Sequence, residues 1–409
     1  MSPAQQVGAA TWRGTWTPQD RAESVWPALG FDVPDGSPGL RVVLTYDRSC
    51  GPAGVLDLGL VDPLGWRGWS GGARSVVEIA PAAATPGYLD RGLPGGRWEV
   101  VLGLHRVPAA GLGFSLAVEV GAVEPEHAGP TPRPVPFAGR PPRPELPAPS
   151  GFRWHATDCH AHTRHSDGRL SLDELAAFAA SRGLDALWVT DHNTVSHHRH
   201  LAAVGARYGI DLLPGQEVTT ADGHANAFGD VGWVDFRRPA RAWAEQVVGA
   251  GGVLSVNHPV AGDCAWREPG GVAATPSHAE VWHSSWTDRS DGACLAWWSA
   301  AGRPVPLGGS DVHDPATASP GSPTTWVLAA DGDVLGAMAA GRTAVAAGPD
   351  APVLLRLGDD LHAVGADGGQ LVCPDGRRTP VRGDHVTVGN HGGPHLLERD
   401  DRRVLAISS

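Results

Sequence analysis

Six apolar runs in the middle of this 409-residue chain end in side chains that can bind a metal ion, and helix-like segments follow them. The runs and their endings are Trp154–Thr157 before His160 and His162, Ala186–Thr190 before Asp191 and His192, Ile210–Gly215 before Glu217, Gly252–Val256 before His258, Ala279–Trp282 before His283, and Pro304–Ser310 before Asp311 and His313. This repetition is typical of a βα barrel, in which strand ends form the catalytic edge. We therefore predict strands that deliver these side chains to one edge.

The first of these endings predicts a metal site by itself. His160 and His162 are two residues apart, so on a strand they share one face and can bind the same cation. Asp167, five residues further on, can reach back from the following turn. Imidazole and carboxylate ligands suit zinc, iron and manganese alike. For these residues in isolation, a histidine-rich solvated loop is the alternative.

The motifs DxHxH…SDG, TDHN, GxE, NHP and GSDxH follow one another between Asp158 and His313. Together they resemble the motifs of the polymerase-and-histidinol-phosphatase (PHP) superfamily of metallohydrolases. The segments GQEVTT…GHANAFG, AEVW and GGSDVHD are similar to the corresponding segments of the CehA/McbA-type branch of that superfamily. The resemblance covers roughly residues 154–349. It implies an α/β fold, a distorted (β/α)7 PHP barrel, that holds two or three divalent metal ions (zinc, iron or manganese).

The resemblance also implies which residues hold each ion. The first ion would be bound by His160, His162, Glu217 and Asp311, the second by the bridging Glu217 with His258 and, in one alternative, His224, and the third by Asp167, His192 and His313. Metal ions arranged in this way share a hydroxide and lower its pKa towards neutrality.

Four further residues have roles that their residue types leave open. His224, seven residues after Glu217, is a ligand of the second ion, a general acid that protonates the leaving group, or a structural histidine. Asp191 orients a ligand imidazole or caps the backbone. Arg164 and His165 bind a phosphate oxygen of the substrate or belong to a solvated loop.

Other polar residues of this region are predicted to lie outside the ligand set. His197, His198 and His200 follow the TDHN motif at a helix start and are predicted surface residues. Glu280 ends a strand and is predicted to support the barrel rim. His283 departs from the asparagine that is common at this place in the family, which leaves the substrate-side chemistry open.

Three functions from different classes are compatible with these motifs. The leading one is a phosphoesterase in which a metal-bridging hydroxide attacks the phosphorus of a small phosphate ester in line. The second is a hydrolase of carboxylic or carbamate esters, because members of the CehA-like branch are associated with aryl carbamate cleavage. The third is a non-catalytic, metal-stabilised binding module, against which the intact ligand motifs argue.

The composition disfavours several other classes of function. With 32 basic and 44 acidic residues, the net charge of −12 disfavours a nucleic-acid binder. The basic residues are all arginine, which excludes a Walker-type phosphate loop and Schiff-base catalysis. The chain has no run of 18 apolar residues, its amino terminus lacks the layout of a secretion signal, and its five cysteines are scattered. We therefore expect a cytoplasmic enzyme with a small-molecule ester substrate and no nucleic-acid or membrane partner; homo-oligomerisation stays open.

Changes in composition divide the chain into four predicted parts. Residues 1–128 contain short alternating strands between glycine and proline turns, which predicts a β-sandwich. Residues 129–150 are rich in proline and predict a stiff linker. Residues 151–349 hold the barrel, and residues 350–409 a small β-rich extension. Two interpretations of the sandwich are open. It binds carbohydrate or substrate, or it has a structural role, in which it packs on the barrel or forms an oligomer interface.

Overall fold

The computed structural model describes residues 4–6, 9–126, 129–131, 133–143, 145–267, 277–288, 291–330, 332–389 and 392–408. The chain divides into two compact units. The first unit comprises Met1–Gly129 together with the short segments Arg164–Gly168 and Asp191–Arg199, and the second comprises the remaining residues. Two segments from the predicted barrel region thus group with the N-terminal strands.

Strands dominate the N-terminal part of the first unit, whose described residues also contain one short α-helix and a 3-10 helix at Arg48–Ala53. The α-helix is α1 (Pro18–Glu23), and the strands are β1 (Ala4–Gln6), β2 (Ala9–Trp16), β3 (Ala28–Val33), β4 (Leu40–Tyr46), β5 (Val55–Asp62), β6 (Gly65–Gly71), β7 (Val76–Ala80), β8 (Ala83–Ala84), β9 (Gly96–Arg106) and β10 (Leu112–Val120).

These strands form two antiparallel sheets, in the orders β1-β2-β10-β4-β7-β8 and β3-β9-β5-β6. Leu116 and Val118 alternate along β10 and face an apolar core that also contains Phe31 and Trp98 from the other sheet. Because side chains point alternately to the two faces of a strand, one face of each sheet can be apolar and the other polar. Two antiparallel sheets packed across one core form a β-sandwich.

A buried ionic network stabilises one end of this sandwich. Arg67 is fully buried and its Nη1 lies 3.0 Å from Asp62 Oδ2, while Arg91 Nη2 lies 2.9 Å from Asp62 Oδ1. The Arg67 guanidinium also lies over the Trp98 ring, 5.5 Å from its centroid. A buried charge is costly unless it is paired and hydrogen-bonded. The network therefore favours one arrangement of the chain segments that carry these residues.

Strands and helices alternate in the first two thirds of the second unit. The strands are β11 (Arg153–Asp158), β12 (Ala186–Val189), β13 (Asp211–Thr220), β14 (Gly223–Phe228), β15 (Val253–Val256), β16 (His278–His283), β17 (Val305–Gly309), β18 (Thr324–Ala329) and β19 (Thr343–Ala346), and the helices are α2 (Leu172–Ser181), α3 (His198–Tyr208), α4 (Ala240–Gly249), α5 (Asp291–Ala300) and α6 (Val334–Ala339). Helix α2 begins with a capping box, in which Ser171 Oγ accepts from Glu174 N and the Glu174 carboxylate accepts from Ser171 N.

The remaining strands are short and antiparallel. They are β20 (Val353–Leu357), β21 (Asp360–Val364), β22 (Gln370–Val372), β23 (Arg378–Pro380), β24 (His385–Gly389), β25 (Leu396–Glu398) and β26 (Val404–Ser408). Strands β20, β21 and β24 form a separate three-stranded sheet. Strand β26 pairs with β19 and so extends the main sheet towards β25, β22 and β23.

The main sheet is mixed α/β, but the predicted seven-stranded barrel is not confirmed. Its thirteen strands follow the order β17-β16-β15-β14-β13-β12-β11-β18-β19-β26-β25-β22-β23. Strand β14 is antiparallel to both of its neighbours, which a regular βα barrel does not allow. Although β17 and β11 are not neighbours in this order, two hydrogen bonds join their ends. Cys159 N donates to Gly308 O at 3.4 Å, and Asp311 N donates to His160 O at 2.8 Å. The ends of the first and seventh of these strands therefore meet.

The described residues of the proline-rich segment 129–150 contain no helix or strand and contact the second unit. Arg140 Nη1 and Arg143 Nη2 lie 2.8 Å and 2.7 Å from Asp185 Oδ1, and the Tyr208 hydroxyl accepts from Val135 N at 2.7 Å. These contacts fix the segment along the surface of the unit. Among all the described residues, no helix is long and apolar enough to cross a membrane.

Buried Asp57 in β5 predicts a pH-dependent stability. Burial raises its pKa from 3.8 to about 7, so the folded protein binds this proton more tightly than the unfolded chain does. Its contribution to the free energy of unfolding is therefore highest below pH 3.8 and is lost as the pH rises towards about 7. Asp57→Asn should raise the free energy of unfolding at about pH 8, by as much as roughly 4 kcal/mol relative to its effect in acid.

Urea unfolding of the full chain at about pH 4 and about pH 8 measures this difference. The control is Asp32→Asn, because Asp32 lies in the same unit with its side chain 68% exposed. Equal effects of Asp57→Asn at both pH values would contradict the prediction.

Candidate metal centre

Seven of the nine predicted ligands lie in the second unit, at or just beyond the ends of neighbouring strands. His160 and His162 follow β11, Glu217 lies in β13, His224 in β14, His258 follows β15, and Asp311 and His313 follow β17. Because these strands are neighbours in one sheet, residues far apart in sequence come together at its edge.

The carboxylate of Glu217 is fully buried and has imidazoles from three strands around it. Its Oε1 lies 3.1 Å from His224 Nδ1, 3.2 Å from His258 Nε2 and 3.3 Å from His160 Nε2, and its Oε2 lies 3.6 Å from His162 Nε2. A carboxylate with two oxygens facing different imidazoles is suited to bridge two cations.

The hairpin of β13 and β14 explains the seven-residue spacing from Glu217 to His224. In this antiparallel pair Thr219 is opposite His224, and Glu217 is opposite Asn226. Side chains alternate along a strand, so Glu217, Thr219 and His224 lie on one face. The sequence spacing thus becomes a diagonal cross-strand contact.

The carboxylate of Asp311 also contacts several imidazoles. Its Oδ1 lies 2.9 Å from His162 Nε2, 3.2 Å from His160 Nε2 and 3.5 Å from His313 Nδ1. The rings of His162 and His313 stack with centroids 4.1 Å apart. The four side chains therefore form one compact group.

The donor atoms of the second unit fit divalent metal ions. Two groups have donor atoms within 4.8 Å of one another: His160, Glu217 and His258, and His160, His162 and Asp311. Buried His160 Nε2 forms no hydrogen bond of good geometry among the described residues, although it lies 3.2 Å from Asp311 Oδ1 and 3.3 Å from Glu217 Oε1. Buried polar atoms are normally hydrogen-bonded, and converging imidazole and carboxylate donors are typical ligands of zinc, iron and manganese.

The electrostatics of this cluster require positive charge. Burial lowers the pKa of His160, but the carboxylates of Asp311, Glu217 and Glu280 outweigh burial and raise that pKa well above its usual value. For Asp311, burial is outweighed by His160 and by hydrogen bonds from His162 and His283, so its pKa is well below the usual range. The carboxylates therefore remain ionised only with cationic neighbours, a function that protons or metal ions can serve.

Two of the candidate ligands lie in an uncommon backbone conformation. His258 has φ of 24° and Asp311 has φ of 50°, which residues other than glycine seldom adopt. Such conformations persist where the surrounding structure fixes them, and they cluster at functional sites.

Glu280 supports two ligands from β16. Its Oε1 lies 3.1 Å from His160 Nδ1, and its Oε2 accepts a hydrogen bond from His258 N at 2.8 Å. A Cβ at Gly309 would overlap the side chains of both His160 and Glu280, so a glycine is needed for their approach. Carboxylates that bind the far nitrogen of a ligand imidazole fix its tautomer and orientation.

Asp158 is a supporting residue to which the sequence assigned no role. Its buried carboxylate accepts hydrogen bonds from His160 N at 3.1 Å, Ser310 N at 3.0 Å and Gly321 N at 2.8 Å. Burial raises its pKa to about 6, although these hydrogen bonds act in the opposite direction. Asp158 thus joins the end of β11 to the end of β17. Its place in the DxHxH motif was the available signal.

Asn257 and His283 were not among the predicted ligands. Asn257 Nδ2 donates to Glu217 Oε1 at 2.8 Å, and its Oδ1 accepts from Asn226 N at 3.2 Å. His283 Nε2 lies 3.1 Å from Asp311 Oδ2. Asn257 was visible in the NHP motif, and His283 as the last residue of an apolar run. Neither position alone indicates its partner.

The two remaining predicted ligands, Asp167 and His192, belong to the first unit. Asp167 Oδ1 lies 3.5 Å from His192 Nε2. Their assignment with His313 to a third ion stays a prediction.

The residues predicted to bind substrate also lie in the first unit. Arg164 is half-exposed, and its Nη1 lies 3.6 Å from Glu126 Oε1. His165 is only 3% exposed, and its Nδ1 lies 2.8 Å from Ser196 Oγ. The alternative of a solvated loop is therefore wrong for His165, and contact of either residue with substrate stays a prediction.

Asp191 is fully buried and faces His197. Its Oδ1 accepts from Ser166 Oγ at 2.6 Å, and its Oδ2 lies 3.3 Å from His197 Nδ1. His197 is fully buried, so its prediction as a surface residue was wrong. The two residues are six positions apart in the sequence, and neither the helix period nor the strand period brings side chains at that spacing together.

Comparison with known families supports the PHP resemblance over part of the chain. Residues 158–260 match the profile of the PHP domain. The match covers 103 of the 409 residues and includes the predicted ligands from His160 to His258. The CehA/McbA-type branch is not confirmed.

One curated relative and two solved structures are among the proteins that are similar to the chain. A 3′,5′-nucleoside bisphosphate phosphatase from Chromobacterium violaceum is 41% identical over 66 residues, which are 16% of this chain and only 23% of that relative. A two-domain protein from Bacteroides vulgatus containing a predicted PHP-like metal-dependent phosphoesterase is 18% identical with a TM-score of 0.42, over 66% of this chain and 92% of that one. An amidohydrolase from Chromobacterium violaceum is 20% identical with a TM-score of 0.33, over 40% and 89%.

Glu280→Gln should weaken metal binding without removing a ligand. The substitution removes the negative charge that faces His160 Nδ1, so the orientation and basicity of this imidazole are less favourable. Loss of such a partner typically lowers metal affinity about 10–100-fold. Titration of metal-free protein with Zn²⁺ or Mn²⁺ in competition with a chelator measures the affinity.

The matched control is Glu245→Gln, because Glu245 lies on α4 with its side chain 64% exposed. Unchanged affinity of Glu280→Gln would show that Glu280 does not orient a ligand.

Proposed function

We propose that this protein is a multinuclear metal-dependent phosphoesterase that hydrolyses a small phosphate ester. The observation that carries the proposal is the buried Glu217 carboxylate, which has four imidazole nitrogens within 3.6 Å and an adjoining group around Asp311. The PHP-domain match over residues 158–260 supports it. The short similarity to a bisphosphate phosphatase favours phosphate over other esters.

The site would bind its cations through His160, His162, Glu217, His258 and Asp311. Bound divalent ions would supply an activated water molecule and neutralise the charge of the phosphate oxygens. Other residues of the chain orient these ligands. With cations bound, Glu280 Oε1, 3.1 Å from His160 Nδ1, would accept the proton of that nitrogen, so that His160 Nε2 would be free to act as a metal ligand.

His224 is assigned the role of general acid. Its side chain is 10% exposed, the most of the four imidazoles around Glu217, and its Nδ1 lies 3.1 Å from Glu217 Oε1. A carboxylate at Nδ1 favours protonation at that atom and so allows the ring to carry a second proton at Nε2. From Nε2 the proton would pass to the leaving oxygen of the ester.

A substrate comparison tests the reaction class. Aryl phosphate monoesters and a nucleoside 3′,5′-bisphosphate should be hydrolysed with Mn²⁺ or Zn²⁺ present and not after chelation. Aryl carbamates and acetates should be turned over far more slowly. His160→Ala removes a donor shared by both ligand groups and should lower kcat about 10²–10³-fold.

The control for this comparison is His362→Ala. His362 lies in β21 of the separate three-stranded sheet, so its loss should leave kcat unchanged. Faster turnover of carbamates than of phosphates would replace the proposal with the carbamate-hydrolase alternative. Full activity of His160→Ala would contradict the metal centre itself.

The general-acid role of His224 predicts a dependence on the leaving group. His224→Gln should slow hydrolysis of an alkyl phosphate about 10²–10⁴-fold, because the alkoxide must be protonated as it leaves. A nitrophenyl phosphate needs no such proton and should be much less affected. Metal content is measured in parallel: loss of one equivalent with equal slowing of both substrates would make His224 a ligand instead.

A further inference from the structure

Arg74 of the N-terminal sandwich binds the loop that precedes Asp167. It lies between β6 and β7, and its Nη1 donates to Ser166 O at 2.9 Å while its Nη2 donates to Arg164 O. One guanidinium therefore holds two carbonyl oxygens that are two residues apart. The fixed fork of guanidinium N–H groups is suited to such paired contacts.

Gly87 binds the loop that follows His192. Its N–H donates to Ser196 Oγ at 3.1 Å, and its carbonyl accepts from Thr194 Oγ1 at 2.7 Å. Its φ is 103°, and a Cβ at this position would lie 2.7 Å from His165 O. Only glycine fits both the conformation and the close approach of the first loop.

The two loops are also joined to each other. His165 Nδ1 lies 2.8 Å from Ser196 Oγ, and Ser166 Oγ donates to Asp191 Oδ1 at 2.6 Å. All four residues are at most 5% exposed, so water competes little for these contacts. The loops therefore behave as one cross-linked element.

The sandwich segment that contains Gly87 is itself fixed by the buried network of Arg67. Arg67 O accepts from Leu89 N at 2.8 Å, and Arg67 Nη2 donates to Gly92 O at 2.7 Å. Next to Leu89, Asp90 Oδ1 lies 2.5 Å from Arg199 Nη1, at the end of the second loop. The segment of the sandwich that contacts the second loop is thus held by hydrogen bonds to Arg67.

We propose that the N-terminal β-sandwich positions a pair of metal ligands within the first unit: Arg74 and Gly87 hold the two loops that carry Asp167 and His192. The donor atoms of this pair lie 3.5 Å apart. Two ligand atoms, each about 2.1 Å from a tetrahedral ion, are about 3.4 Å apart, so the pair is already spaced to share a cation. The inference rests on the proposed function because it assumes that these residues serve a metal-dependent reaction.

Arg74→Ala in the full chain tests the proposal by two measurements. In metal-free protein, hydrogen exchange of peptides covering residues 164–168 and 191–199 should become about tenfold faster, because the charge-assisted hydrogen bonds are lost. After reconstitution with Mn²⁺ or Zn²⁺ and dialysis, elemental analysis should find one equivalent fewer than in the wild type. Arg74→Lys should restore part of both effects.

The matched control is Arg41→Ala, because Arg41 lies on β4 of the same sandwich with its side chain 47% exposed and pairs with Glu78 at 3.7 Å. It should change neither exchange in the two loops nor metal content. Gly87→Ala is the second variant and should reproduce the loss of one equivalent, because its Cβ displaces the loops without removing a charge.

The proposal requires both effects in Arg74→Ala. Wild-type exchange in either loop, or a metal content that is unchanged or falls to zero, would overturn it. Neither readout depends on turnover. If the wild type bound metal but hydrolysed no phosphate ester, the proposed function would fail while these measurements kept their meaning.

Discussion

The fully buried carboxylate of Glu217 is the constraint on which the rest of the second unit depends. An ionised carboxylate removed from water costs several kcal/mol unless cations and hydrogen bonds compensate it. Here the compensation comes from His160 and His162 beyond β11, His224 on β14 and His258 beyond β15, and from the amide of Asn257. No local segment can supply these groups together. The strand order is therefore a requirement of the charge at its edge as well as of the apolar core.

Supporting residues limit how this cluster can be arranged. Glu280 binds the ring of His160 and the backbone of His258, and Asp158 binds the backbone of His160 and Ser310. Glu280 and Asp158 thus each contact a candidate ligand or its neighbour, and both carboxylates are buried. A ligand set fixed in this way loses little conformational entropy when a cation binds, which favours affinity and a defined geometry.

The sequence predicts those parts of the site that follow from local periodicity. His160 and His162, two residues apart just beyond β11, both lie within 3.2 Å of Asp311 Oδ1, and His258 and Asp311 follow apolar runs that form strands. The antiparallel β14 was not predicted, because a barrel pattern implies parallel strands; the Asp222-Gly223 dipeptide before it is a turn signal that was not used.

Contacts across long sequence separations were beyond sequence reasoning for a physical reason. Glu280 and His160 meet only because their strands end at one edge. The association of loop residues with Arg74 and Gly87 is of the same kind, because no periodic pattern within residues 164–168 or 191–199 indicates a partner that is 92 or 109 positions earlier in the chain. Local patterns specify which face a side chain lies on, whereas the three-dimensional arrangement of strands decides what it meets.

Because the chain has no lysine, its basic side chains are imidazoles and guanidiniums. These two groups serve different contacts: imidazoles surround Glu217 and Asp311, and the Arg74 guanidinium binds the loops. Around Glu217 and Asp311 the basic groups in contact are imidazoles, whose positive charge disappears when a proton leaves, so a metal ion can take the place of that proton. A permanently charged side chain there would compete with the metal for the same carboxylates. In the loop contacts the donor is the guanidinium of Arg74, whose charge is constant and whose hydrogen bonds do not depend on pH. The ligand cluster can thus exchange protons for cations while the contacts that position the loops stay unchanged.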